Sequence, residues 1–344
     1  MKKVYIYPPE SNDNDYIRLI RTAITESGYV LISKQNMKKE FKNISVFILN
    51  WYEDIGTNNE LYHMMKKLVK LAILKINHKK VVWVLHNRIP HDSHSKVTIY
   101  FMMILLRISD NIIILSDVTY EVLNTLRRGS YNYEKKVIKV PLPNYTSLYT
   151  GAKDGLEIIN RKIKFTFIGL IRQYKNVDLL IDVFKELQNE PVSLQITGRC
   201  DSLKYKNELL YKLEGVSNIK IDFRFINTQE MTKLISDSDI IIFPFDLRSS
   251  LNSSSIMLAF SNKRCVLSPY IGTLQECTRS DCFYTYQYLT LQEHFNCLIE
   301  SINDIIKDVK ENPSVLKQKG IIAYDLIVKD NSINVLSTIY KSFL

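Results

Sequence analysis

The sequence predicts an α/β protein built of two doubly wound units in tandem. Short apolar runs alternate with stretches of helical period along most of the 344 residues, and strands that alternate with helices imply parallel sheets covered on both faces. The length is more than one core ordinarily serves and suits two domains of about 150–190 residues each. Between the halves, residues 145–161 sustain neither period.

Each element follows from its pattern. In the first half, residues 4–7 read as a strand and 16–26 as an amphipathic helix. Strands at 29–33 and 44–50, a helix at 60–76 and a strand at 80–86 come next. A helix over 95–107 precedes a strand at 111–116. Asp117 is placed to cap a helix ending near Arg128-Gly129, and 137–140 closes the set before Pro141-Leu142-Pro143. In the second half, strands are expected at 164–168, 193–197, 219–223, 240–243, 265–267 and 282–286. Helices are expected at 176–188, 203–213, 228–236 and 253–261. Residues 291–344 read as helical, broken at Asn312-Pro313. The expected organisation is a domain of 1–150, a second of 151–330, and a terminal helix over 331–344 that packs back on the first.

Composition narrows the classes. Hydrophobic residues make up 46% and charged residues 24%, as in a soluble globular chain. The longest apolar run, 97–106, is far short of the roughly 18 residues that span a bilayer. The opening Met1-Lys2-Lys3-Val4-Tyr5 enters a strand with no secretory pattern, so a cytosolic chain without an integral anchor is expected. Five cysteines, an odd number with no C-x-x-C pair, argue against a disulfide framework or zinc ribbon. The net charge of +10 is uneven: residues 1–150 carry 22 Lys+Arg against 13 Asp+Glu. An anionic partner for that half is implied. The lysine clusters 34-38-39-42 and 66-67-70-75-79-80 are spaced like solvated helix faces. They lack the aromatic interleaving of a single-strand groove, so a membrane surface is favoured over nucleic acid.

Ligands of open parallel sheets gather beyond the carboxyl ends of the strands, and the turns there carry the unusual residues. After 164–168, Gly169 permits close backbone approach, and Arg172 and Lys175 set two cations near a helix start, suited to a diphosphate. Neither a G-x-x-x-x-G-K-[ST] loop nor a G-x-G-x-x-G fingerprint is present. Residues 246–255 hold a run of serines with Asn252, Ser253, Ser254 and Ser255 opening a helix, a cradle for an anion or a set of ordinary caps. In the turn 270–276, Gly272 and Glu276 suit sugar or ribose hydroxyls. After the strand 80–86 come His86, Asn87, His91 and His94, whose spacing matches no helical metal motif. One of these histidines at a strand end would orient substrate or serve in acid–base work, or be a satisfied structural residue. Trp51 and Glu53, after 44–50, form a sugar platform or plug the sheet end.

These turns, in this order, resemble the GT-B glycosyltransferases, and family 4-like members in particular. Phe167 to Leu180 is similar to that family's donor-phosphate motif, with Arg172 and Lys175 where its diphosphate-binding pair falls. Leu85-His86-Asn87 with Pro90-His91 resembles a bacterial polysaccharide-glycosyltransferase subgroup bearing an HN-x-x-PH signature. There His86 matches the active-site histidine, and Asn50-Trp51-Tyr52-Glu53 the strand-end tryptophan motif. The family's E-x7-E carboxylates are missing: Ser250 and Leu258 occupy those positions.

The resemblance implies a GT-B fold, two Rossmann-like domains with an interdomain cleft and a helical C-terminus. It implies a nucleotide-diphosphate sugar as donor, bound by Gly169, Arg172, Lys175, Asn252, Ser253, Ser254, Ser255, Gly272 and Glu276 in the second domain. A lipid-linked or oligosaccharide acceptor would meet Trp51, Asn87 and His91 in the first, with His86 and Glu53 as catalytic groups. No metal and no further cofactor is expected, nor any nucleic acid; retention is the family-level outcome. The place of work would be the inner face of the plasma membrane, reached peripherally from the cytoplasm. A GT-B sugar-nucleotide epimerase and a non-catalytic nucleotide-sugar-binding homologue are the alternatives.

Overall fold

A computed structural model of the protein describes residues 2–9, 14–56, 58–88, 95–127, 129 and 131–344. Its contacts divide the chain into two compact units. Unit 1 comprises Met1–Pro143, Arg248–Asn252 and Asn331–Leu344, and unit 2 comprises Asn144–Leu247 and Ser253–Asp330.

Unit 1 is a six-stranded parallel sheet in the order β2-β1-β3-β4-β5-β6. Its strands are β1 (Lys3–Tyr7), β2 (Val30–Leu31), β3 (Ile44–Asn50), β4 (Lys80–Leu85), β5 (Asn111–Ile114) and β6 (Val137–Lys139). The connecting helices are α1 (Asp15–Glu26), α2 (Glu60–Ile76), α3 (Lys96–Ile108) and α4 (Thr119–Leu126). From β1 the chain runs one way to β2 and thereafter the other way, so right-handed crossovers place α1 on one face and α2, α3 and α4 on the opposite one. Pleating then sorts the side chains. Phe47, Leu49, Trp83 and Leu85 join Leu71, Leu74, Phe101 and Leu105 in one apolar core. Asn14 and Ser95 start α1 and α3 by accepting from the N–H groups of Ile17 and Thr98. Asp117 does not cap α4: its carboxylate pairs with Lys139 at 2.9 Å, and the helix opens after Val118.

Unit 2 has the order β12-β11-β10-β7-β8-β9, again all parallel. The strands are β7 (Ile163–Ile168), β8 (Val192–Thr197), β9 (Ile219–Asp222), β10 (Ile240–Ile242), β11 (Cys265–Pro269) and β12 (Tyr284–Tyr286). The helices are α5 (Val177–Glu186), α6 (Leu203–Lys212), α7 (Thr228–Ser236), α8 (Ser254–Ser261), the short α9 (Gly272–Gln275), α10 (Leu291–Glu311) and α11 (Val315–Asp330). The last element, α12 (Ile333–Phe343), belongs to unit 1. Ser27 Oγ donates to Ser337 O at 2.8 Å, and Lys2 Nζ to Leu344 O at 3.0 Å.

The fold is therefore the expected pair of six-stranded Rossmann-like sheets with helices at the C-terminus. Three details differ from the sequence reading. The contacts change unit at Pro143/Asn144 rather than at 150/151, because Tyr145 N–H donates to Ser261 Oγ and Asn144 Nδ2 to Ile327 O, both in unit 2. The helical tail breaks a second time at Asn331–Ser332, where the Asn331 amide donates to Leu142 O in unit 1. Residues 248–252 leave the unit on either side of them in sequence.

Candidate functional site

In unit 2, β7, β10 and β11 are parallel neighbours, so their carboxyl ends share one edge, and the strand order reverses direction between β7 and β10. Such a switch point opens a crevice for ligands. At the end of β7, Gly169 takes φ +133°, and its carbonyl lies where a side chain on Gly198 would be: a Cβ there would stand 1.8 Å from the oxygen. Both glycines are required for that approach. Arg172 is extended, Gln173–Lys175 makes a single 3₁₀ turn, and Asn176 at φ +51° ends it and opens α5. The Asn176 amide donates to Pro244 O at 2.9 Å, tying this turn to the exit of β10.

That tie puts a cation against aromatic rings. Lys175 Nζ lies 5.0 Å from the centroid of Phe245, which stacks on Phe243 at 5.2 Å. The half-buried ammonium is pushed down to about 8, chiefly by burial and next by the charge of Arg172. Arg172 comes within 3.9 Å of Asp201, which Arg199 holds more closely at 2.8 Å. Two mutually repelling cations thus sit at a strand exit, the deeper one with no ion pair among the described residues.

The second and third turns converge on the same edge. Gly169, Phe243 and Ser255 line one small gap of about 60 Å³, the size of a water or two. Ser253 precedes α8 but its hydroxyl makes no capping bond; its N–H instead donates to Thr273 Oγ1 at 2.8 Å. Gly272 is not in an open turn, as the sequence suggests, but starts α9, and Glu276 ends that helix with its N–H on Gly272 O. The loop after β10 is braced from outside this set: Tyr288 Oη accepts from Leu247 N–H and donates to Phe245 O.

The carboxyl edge of unit 1 is aromatic at the ends of β3 and β4. β3 ends at Asn50, and Trp51 then takes φ +48°, a strained value for a bulky residue. That turn lays the indole on the His86 ring, centroids 4.1 Å apart and 17° between planes, with Tyr16 edge-on to both. Asn50 Nδ2 donates to Tyr7 O, which leaves Oδ1 toward His86 Nε2 at 3.0 Å. The Nε2 atom therefore carries the proton, and Nδ1 keeps the lone pair. Burial pushes the imidazole down to about 3, so it is neutral.

Glu53 stands apart from this group. Its side chain is 1% exposed and accepts from Trp83 Nε1 at 2.9 Å. Trp83 belongs to the core beneath α2 and α3, whereas His86 meets α1 through Tyr16, so the sheet separates carboxylate from imidazole. Burial pushes Glu53 up to about 7 against the lowering effect of the indole. Asn87, half-buried, follows His86, while Pro90 and His91 lie outside the described residues. Asn252, grouped with the serines by sequence, goes with unit 1. Both its amide atoms are shut from solvent without a partner among the described residues. Arg88 N–H on Ser249 O holds that segment. No group of three His, Cys, Asp or Glu among the described residues could hold a metal.

A match to a known family falls on the cationic turn. Residues 152–247 match the Glycosyl transferases group 1 family. The matched segment includes Gly169, Arg172 and Lys175 and stops before Ser253. Two curated relatives from Xanthomonas campestris pv. campestris are named GDP-mannose:glycolipid 4-beta-D-mannosyltransferase. One is 24% identical over 127 residues, 37% of this chain and 35% of the relative; the other is 26% identical over 102 residues, 30% and 29%. The matches thus span about a third of those relatives' length. Among solved structures, Anabaena Alr3699/HepE in complex with UDP and glucose has a TM-score of 0.72 at 11% identity, covering 99% of both chains. A glycosyltransferase from Rickettsia africae has a TM-score of 0.67 at 12% identity, covering 99% and 98%.

Several residues of these two edges escaped the sequence reading. Asn176 carries a recognisable signal, since Asn between a strand and a helix tolerates the left-handed conformation. Tyr16, Phe245 and Tyr288 carry none, because each acts through a neighbour distant in sequence.

Proposed function

We propose that the protein is a glycosyltransferase that moves a sugar from a nucleotide-diphosphate sugar to a lipid-linked or polysaccharide glycan acceptor, without a metal and with retention. The observation that carries the reading is the Arg172–Lys175 turn, two like charges held together at a switch point, with a lysine whose proton is loosened by burial. A diphosphate laid on this turn would relieve their repulsion. As the bond from the anomeric carbon to the diphosphate oxygen breaks, the electron pair goes to that oxygen and the cations stabilise it. The acceptor oxygen forms the new bond to the anomeric carbon, and its proton passes to the departing diphosphate oxygen. Neutral His86 offers Nδ1 to a substrate hydroxyl, and Trp51 covers a sugar face. Asn252, Ser253–Ser255, Gly272 and Glu276 are the remaining donor contacts; Asn87 and His91 belong to the acceptor side. Glu53, sealed beneath Trp83, supports this wall rather than touching substrate. UDP in the Anabaena structure and GDP-mannose in the names of the relatives support a nucleotide-sugar donor.

Peripheral attachment to the inner face of the plasma membrane is the companion proposal. Helix α2 exposes Tyr62, Met65, Val69 and Ile73, interleaved with Lys66 and Lys70, the composition of a helix that lies in a lipid interface. No helix among the described residues is long and apolar enough to cross a membrane.

A thermal-shift panel of UDP-, GDP- and CMP-sugars tests the donor site, since a ligand of the folded form raises its melting temperature. One nucleotide class should raise it, and the rise should vanish in the Arg172→Ala, Lys175→Ala double variant. No shift with any nucleotide would overturn the reading. A non-catalytic binder is the second reading, favoured by Ser250 and Leu258 in place of the family's carboxylates; it predicts the shift without transfer.

A further inference from the structure

Unit 1 contains a cavity of about 530 Å³ that none of the proposed donor, acceptor or catalytic residues lines. This lies within the roughly 300–1,000 Å³ of small-molecule sites. It begins at the carboxyl ends of β1 and β3, at Tyr7, Pro8 and Tyr52, and runs down the α2 face of the sheet to Phe47 and Leu74. This is the switch point of unit 1, where the order turns from β1-β2 to β1-β3. The cavity occupies the face opposite to His86.

Its wall chemistry selects the ligand. No carboxylate, amide or aliphatic hydroxyl is among the described lining residues; the polar side-chain groups among them are three tyrosine hydroxyls and the two ammoniums of Lys34 and Lys70. Tyr52 Oη already donates to Lys67 O. A free sugar or nucleoside would leave many hydrogen-bonding groups unmatched against such walls. An apolar chain would not. Lys34 and Lys70 are exposed, and neither has a carboxylate partner among the described residues. The lining residue Ile73, 46% exposed, continues into the apolar row of Val69 and Ile76 on α2.

From these features we infer that the cavity is a lipid-chain site, taking the first segment of a phosphorylated lipid drawn from the bilayer, with its phosphate on Lys34 and Lys70. The inference deepens the acceptor half of the proposed function and rests on it only for the claim that this lipid bears the acceptor sugar. A chain held on the α2 face would present its head group at the strand ends, beside the wall that carries Trp51.

Calorimetric titration of the full chain with farnesyl phosphate, farnesol and inorganic phosphate tests it. Farnesyl phosphate should bind; Lys34→Gln with Lys70→Gln should weaken it by roughly tenfold or more. Met37→Trp, which fills the cavity from a lining position, should weaken both farnesyl compounds. Binding of inorganic phosphate as tight as farnesyl phosphate would overturn the chain site in favour of a bare anion site. Absence of farnesyl phosphate binding, or binding indifferent to Met37→Trp in a variant with a normal melting temperature, would also overturn it. The nucleotide thermal shift in the same variants separates the two claims. If it persists while the lipid probe fails, the cavity assignment falls and the donor site stands.

Discussion

The carboxyl edges of the two sheets solve different problems with the same backbone plan. In unit 2 the edge is cationic and only half-covered: Arg172 and Lys175 repel one another, and the lysine is held by ring faces instead of a carboxylate. In unit 1 the groups that meet the two tryptophans are buried and neutral: His86 is uncharged beneath Trp51, and Glu53 is held toward its protonated form under Trp83. Unit 2 keeps charge at its edge, as an anion site would need, whereas unit 1 keeps His86 and Glu53 neutral. Burial drives both, and its sign follows from the group it acts on.

The comparison breaks first at the cations. Arg172→Ala with Lys175→Ala should reduce transfer by roughly a hundredfold or more, as expected for two lost charge-assisted contacts, with little change in melting temperature. Near-normal turnover would remove the basis of the contrast.

Glu53→Gln probes the other edge. The carboxyl of Glu53 rises from near 4.5 unfolded to about 7 folded, so it favours folding below pH 4.5, and that contribution is lost as pH rises to 7. The difference amounts to about 3 kcal/mol. Denaturant titrations from pH 4.5 to 7.5 should show this slope in the wild type and lose it in Glu53→Gln, whose amide oxygen still accepts from Trp83. Transfer should survive that substitution but fall in His86→Ala; equal losses would place Glu53 at the substrate after all.

A smaller effect separates Lys175 from Arg172. With its ammonium pushed down to about 8, Lys175 loses its charge as pH rises past 8, and donor affinity should fall by up to roughly tenfold per pH unit there. The same shift means that stability rises between pH 8 and the unfolded lysine value near 10.4. Lys175→Met should abolish both trends, as followed by nucleotide binding and melting temperature from pH 7 to 10.

Much of the fold was legible because α/β periodicity is local. The strands at 44–50 and 228–236's helix were read to the residue, since a fully buried strand or an amphipathic helix declares itself over a few residues. Asp117 misled because a short acidic side chain before a helix reads as a cap, and here Lys139 on the adjacent strand claims it. The lysine run at 66–80 read as one solvated face. Yet Lys67 donates to Tyr52 O, and Lys75 pairs with Asp110 at 2.7 Å, leaving Lys66 and Lys70 outward. At the site, Gly169, Arg172 and Lys175 announced themselves by chemistry and position. Asn252 did not, because contact and not sequence neighbourhood assigns it to unit 1.

By itself the amino-acid sequence determined the alternation of strands and helices, the two units, and the turns in which polar and cationic residues collect. Those depend on side-chain period and on short-range turn chemistry. Tertiary structure alone decided which faces of the sheet His86 and Glu53 occupy, that Asn176 ties the cationic turn to the exit of β10, and that an apolar cavity opens under α2. Strand order and crossover direction bring these groups together or part them, and they are set by packing between segments too distant in the chain for any local pattern to record.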